Sequence, residues 1–83
     1  MKVYVCESEY ENDHINRADE VYATLDAALE KMRSEYLEYR KKEPNAGIEW
    51  LKNAEAARVW GWYDVDNSNG FTVRELELKG ASE

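Results

Sequence analysis

The chain has 83 residues, one small domain with a modest core, and 18 acidic against 11 basic residues give it a net charge of −7. That balance argues against direct binding to nucleic acid or an anionic membrane, which requires basic surface; it is compatible with a cationic partner, solubility alone being the plain reading. One cysteine, Cys6, excludes an internal disulfide and fits a reducing cytoplasm; no stretch approaches transmembrane length, and the start turns acidic before a signal-peptide core develops.

Residues 2–6 (KVYVC) are β-formers and predict a first strand. Val3 and Val5 fall on one face and Tyr4 and Cys6 on the other, the two-sided apolar pattern of a central strand. Residues 7–13 follow with an acid at every second position. In an extended chain Glu7, Glu9, Glu11 and Asp13 line one edge, with Tyr10 among them. A solvated loop is the plain reading of such a run. The functional reading is an acidic strip that docks on a basic partner. His14 is the single histidine, too little for a zinc site, and a Cys6–His14 nucleophilic pair has no third orienting residue beside it.

Residues 20–23 predict a short second strand that runs into Thr24, a helix N-cap. Leu25, Ala28, Leu29, Met32, Tyr36 and Tyr39 then recur at three- and four-residue steps, the stripe of one long amphipathic helix. Asp26 suits the positive end of its dipole, and Arg40, Lys41 and Lys42 suit the negative end. Lys31–Glu35 and Glu38–Lys42 are helical ion pairs, while Leu37 lies off the stripe and hints at a second contact. Pro44 and Gly47 close the helix. Over residues 48–56 (IEWLKNAEA) the pattern is open between a short second helix and a structured loop.

The last third reads as a β-hairpin. Residues 66–70 (DNSNG) carry the turn chemistry, and a loop of Ser68, Asn69 and Gly70 puts glycine at a left-handed position. This register pairs Val65 with Val73, Asp64 with Arg74, Trp62 with Leu76 and Trp60 with Leu78. It gathers Trp60, Trp62, Leu76 and Leu78 on one face and Val59, Tyr63, Val65, Phe71 and Val73 on the other. A single helix covers one face, so the second cluster needs another segment, a sister chain in a homodimer, or a partner. The same stretch places Asp64, Asp66, Ser68 and Glu75 at the first, third, fifth and twelfth positions of a calcium loop, with Phe71 at the apolar eighth. Against calcium, Asn69 stands where that loop needs glycine, and Gly61 would interrupt its entering helix. Glu75 and Glu77 share a face but form no catalytic constellation, and the four glycines build no phosphate loop.

The expected fold is thus α+β, one domain over 1–83 with a frayed tail at 80–83. An antiparallel sheet of about four strands in β-β-α-β-β order packs on one long helix. The order and the wording at Lys2, Val3, Tyr10, Tyr22, Thr24 and Ala28, with Phe71, Val73 and Glu75 near the end, resemble small phage- and prophage-encoded proteins of unassigned activity. The resemblance leaves residues 44–56 uncovered. It implies phage provenance, the β-β-α-β-β order, and the habit of small acidic phage proteins of inhibiting host machinery. The leading expectation is a non-catalytic, cofactor-free module in the cytoplasm that binds a basic surface of a host protein. Its candidate contacts are Glu7, Glu9, Tyr10, Glu11, Asp13, Tyr63, Val65, Phe71 and Val73. The alternatives are a homo-oligomeric small-ligand binder and a calcium-binding protein using residues 64–75.

Overall fold

The structure, a computed structural model, describes the backbone of residues 1–10 and 15–78 and the side chains of 1–9 and 20–78. Among the described residues five strands form one antiparallel sheet: β1 (Lys2–Tyr10), β2 (Ile15–Tyr22), β3 (Ile48–Trp50), β4 (Val59–Asp64) and β5 (Asn69–Glu77). Their spatial order is β2-β1-β5-β4-β3, so β1, apolar on both faces, lies inside the sheet as its alternation requires. The long helix α1 (Leu25–Lys42) lies across one face, and a single-turn helix α2 (Ala54–Ala57) precedes β4. None of the helices among the described residues is long and apolar enough to cross a membrane. The architecture is the expected α+β, with one strand more than expected. Ile48–Trp50 pairs along β4 as an edge strand, and helix in the 48–56 stretch is confined to Ala54 onward.

Local chemistry explains the ends of α1. The Thr24 hydroxyl accepts from the Ala27 amide at 3.3 Å, Asp26 occupies the first turn, and Arg40, Lys41 and Lys42 occupy the last. Arg40 then ties the exit, donating to the carbonyls of Pro44 at 3.2 Å and Ala46 at 2.7 Å. The stripe faces the sheet: Ala28, Met32 and Tyr39 are buried, while Leu25, Leu29 and Tyr36 pack half-buried around them. Leu37, off the stripe, is 60% exposed, so no second contact covers it within the described chain.

The C-terminal hairpin forms, but not in the expected register. Asp64 pairs with Asn69, Trp62 with Phe71 and Trp60 with Val73, leaving a four-residue loop, 65–68. The left-handed position at its end belongs to Ser68, with φ of 56°, and not to Gly70. Relative to the expected pairing the strands are offset by an odd number of residues, and an odd offset exchanges faces. Phe71 and Val73 therefore join Trp60 and Trp62 beneath the helix. Leu76 moves to the opposite face with Val59 and Tyr63. The core is Tyr4, Cys6, Trp60, Trp62, Phe71 and Val73 from the sheet against Ala28, Met32 and Tyr39 from α1, with Ala46 at the margin.

Trp62 pins the two layers. Its indole N–H donates to the Met32 carbonyl at 3.2 Å, and its ring lies 5.1 Å from Tyr39, 5.9 Å from Tyr36 and 6.4 Å from Phe71. Directly beside it, Gly61 pairs with Thr72 where the two backbones close in. A β-carbon there would sit 2.4 Å from the Phe71 carbonyl oxygen.

Two substitutions test this hairpin. Ser68→Gly removes the side chain from a left-handed residue and should stabilise the protein by about 0.5–1 kcal/mol, read from the urea midpoint. Gly61→Ala forces β4 away from β5 and should cost about 1–3 kcal/mol in the same assay.

Candidate functional site: the open face of the sheet

Because α1 covers one side only, alternation along each strand assigns the rest of the side chains to a second, open face. Val3, Val5, Glu7 and Glu9 come from β1, Val59 and Tyr63 from β4, and Thr72, Arg74 and Leu76 from β5, with Val21 on β2 and Glu49 on β3 at the margins. The pairings lay these out in rows. Glu9, Gly70, Tyr63 and Glu49 cross one end, and Val21, Val5, Arg74 and Val59 cross the middle. An antiparallel sheet with one face in water ordinarily turns polar residues outward. Here the outward set is rich in valine, leucine and tyrosine. Val21 is 61% exposed and Leu76 43%, while Val3, Val5 and Val59 are half-buried by their neighbours.

The centre of this face is low because its residues are small. Gly61, Thr72 and Gly70 adjoin one another, and the Tyr63 ring leans over Gly70, with Cδ2 only 3.0 Å from where a β-carbon would stand. Charge is placed around it. Arg74 is held by Glu7 in a salt bridge across β1 and β5, leaving Glu9 and Glu49 on the acidic end. The face is thus largely apolar, with the Glu7–Arg74 pair crossing it and Glu9 and Glu49 at one end.

Of the residues expected to bind, Glu7, Glu9 and Tyr63 do converge on this face. Val65 opens the hairpin loop and is 48% exposed. Phe71 and Val73 are corrected: at 1% and 0% exposure they belong to the core, because the four-residue loop turns them toward α1. Tyr10 ends β1, paired with Ile15 and Asn69, and its side chain lies outside the described residues, as do Glu11, Asp13 and His14. The sequence reading missed Val3, Val5, Val21 and Leu76. Their signal was present in the valine alternation of β1, once it is known which side the helix takes.

Under the helix two polar clusters hold the hairpin. At the tip the Asp64 carboxylate is fully buried. Its Oδ1 accepts from the Asp66 amide at 2.9 Å and the Asn67 amide at 3.3 Å, and its Oδ2 accepts from the Asn67 side chain at 2.7 Å and from the Tyr39 hydroxyl. Burial pushes its carboxyl up, but the hydrogen bonds from Tyr39, Asn67 and the two amides outweigh burial and hold it below the ordinary carboxylate range. Tyr39 is correspondingly raised, by its own burial and by the carboxylate it faces. At the other end Glu75, its side chain 11% exposed, takes a two-pronged contact from Arg58 at 3.1 and 2.6 Å and the Tyr4 hydroxyl at 3.0 Å. Arg58 stacks 4.9 Å from the Trp60 ring and is itself left-handed at φ 56°.

These clusters answer the calcium reading. Asp64 faces the tip, whereas Glu75 lies six residues further along β5 than its partner Asn69, about 20 Å by strand rise. Each carboxylate is saturated by protein donors, and the two cannot share one ion. Among the described residues no three or more His, Cys, Asp or Glu side chains converge on a metal-sized gap.

Acid titration tests the lower cluster. The Arg58 guanidinium, with Tyr4, lowers the Glu75 carboxyl from 4.5 to about 2. A carboxyl depressed on folding stabilises above its ordinary value, and that stability drains away as pH falls from 4.5 toward 2. Glu75→Gln should flatten the stability profile across that interval and lower stability at neutral pH; an unchanged acid limb would contradict the pairing. Comparisons with protein-family models, with curated proteins and with solved structures find no match to this chain.

Proposed function

We propose that the chain is a non-catalytic binding module that docks its open sheet face on a basic surface of a partner protein. One observation carries this reading: the sheet leaves Val3, Val5, Val59, Tyr63 and Leu76 outward on the face opposite its helix, with Glu9 and Glu49 at one end. A net charge of −7 supplies long-range attraction to a cationic partner, and Tyr63 supplies an aromatic anchor. In its fuller form the proposal is a phage or mobile-element accessory protein that inhibits a host defence or nucleic-acid-handling protein. The supports for that form are the acidity and the resemblance carried by Lys2, Tyr22, Thr24 and Phe71. A cytoplasmic setting agrees with the lone, buried Cys6.

Immobilised protein and a bacterial lysate provide the test, with variants that separate face from fold. The wild type should retain a discrete protein of basic charge and release it when salt is raised to about 0.5 M. The double variant Val5→Lys with Leu76→Lys should lose it, and Leu37→Lys on the outer side of the helix should keep it. Retention unaffected by the double variant would move the interface elsewhere. A mass that doubles with concentration and collapses in the double variant would assign the face to a second copy of the chain instead.

A further inference from the structure

The sheet ends at β3, and its outer edge has a definite hydrogen-bonding pattern. The Leu51 amide donates to the Gly61 carbonyl at 2.9 Å and the Val65 amide to the Gly47 carbonyl at 3.1 Å. In an antiparallel pair those groups alternate, so Gly47, Glu49 and Leu51 turn their backbones toward β4. Ile48 and Trp50 therefore direct their amides and carbonyls outward, where no further strand of the described chain follows. Beside this edge lies a hollow of about 400 Å³, lined by Glu49, Trp50, Leu51, Lys52 and Tyr63. Glu49, Leu51 and Tyr63 share the open face by alternation, so the hollow is a side pocket of that face. Three of its five walls are apolar and two are charged, Glu49 and Lys52; Trp50 is 44% exposed although its ring packs 4.9 Å from Tyr36, and Leu51 is 42% exposed.

We propose that β3 accepts an extended segment of a partner protein as a sixth, antiparallel strand, with a basic side chain opposite Glu49 and an aliphatic side chain in the Leu51–Tyr63 hollow. The idea rests on the protein-binding reading above and specifies what the partner presents. Two donors and two acceptors at Ile48 and Trp50 recognise extended backbone and nothing helical. The side-chain chemistry follows from what lies beside them. The Glu49 carboxylate selects lysine or arginine across the strand, and Trp50, Leu51 and Tyr63 select branched aliphatic groups. A three-residue edge is short, so backbone bonding alone is weak and the hollow must supply the selectivity.

The probe is the capped peptide acetyl-Lys-Val-Val-Lys-Val-Val-Lys-amide, whose central lysine meets Glu49 and whose inner valines meet Ile48 and Trp50. In the free protein the Ile48 and Trp50 amides should exchange rapidly with solvent, and saturating peptide should slow both by about tenfold or more. Methylating the backbone nitrogens of the two inner valines should weaken binding about tenfold, because those amides face the carbonyls of Ile48 and Trp50. Replacing the central lysine by glutamate, or Leu51→Lys in the protein, should weaken it similarly. Binding that leaves the Ile48 and Trp50 amides unprotected, tolerates methylation, or is absent at about millimolar peptide overturns strand addition. The outcome is separable from that of the open-face reading. Val5→Lys with Leu76→Lys, on β1 and β5 and not on the β3 edge, should leave peptide affinity unchanged while abolishing capture of the whole partner.

Discussion

A buried carboxylate decides how this chain folds. Asp64 ends β4 with its side chain fully out of water, a position that costs several kcal/mol unless every lone pair is satisfied. The satisfaction comes from two directions. Backbone amides of Asp66 and Asn67 wrap the loop around one oxygen, and the Tyr39 hydroxyl reaches the other from the last turns of α1. Loop length, strand register and helix position are thus fixed by a single group. A loop of four residues rather than three changes the pairing by an odd number. That parity sends Phe71 and Val73 beneath the helix and leaves Leu76 in the open.

Tryptophan 62 turns the chosen register into a packed interior. It meets aromatic rings from the helix and from β5 and satisfies its own N–H at the Met32 carbonyl, so its polar atom carries no burial penalty. In so small a domain a cluster of this kind replaces the aliphatic volume that a longer chain would bury. The consequence is lopsided. Nearly all large aromatic area is committed to the helix side, and the opposite face keeps smaller valines, Leu76 and Tyr63. A shallow, largely apolar face with Glu9 and Glu49 at one end is what remains.

Much of the fold was legible in the sequence. The 3.6-residue stripe marked α1, Thr24 marked its start, and the two-sided apolar run of β1 placed it inside the sheet. The site was legible only in part. Glu7, Glu9 and Tyr63 share the open face because their alternation does not depend on the hairpin. Sequence alone misplaces Phe71 and Val73 because Ser68-Asn69-Gly70 looks like a three-residue turn, while the stronger turn signal is Asp64 bonding its own backbone two and three residues on. Which of those signals prevails depends on Tyr39, more than twenty residues upstream, and no local pattern contains that contact. Similarly, the 48–56 run as a whole has helix-forming composition, but its first residues, with β-branched Ile48 and aromatic Trp50, pair as a strand with β4, and a helix propensity worth only tenths of a kcal/mol per residue does not prevent it.

The hairpin register decides which side chains form the open face. Nuclear Overhauser contacts between α-protons read that register directly, because they are strong only across the closely spaced, non-hydrogen-bonded pairs of an antiparallel ladder. The structure predicts strong contacts for Gly61 with Thr72 and Tyr63 with Gly70. Contacts of Trp62 with Leu76 or Asp64 with Arg74 in their place would restore the three-residue loop, return Phe71 and Val73 to the outer face, and contradict the surface proposed here.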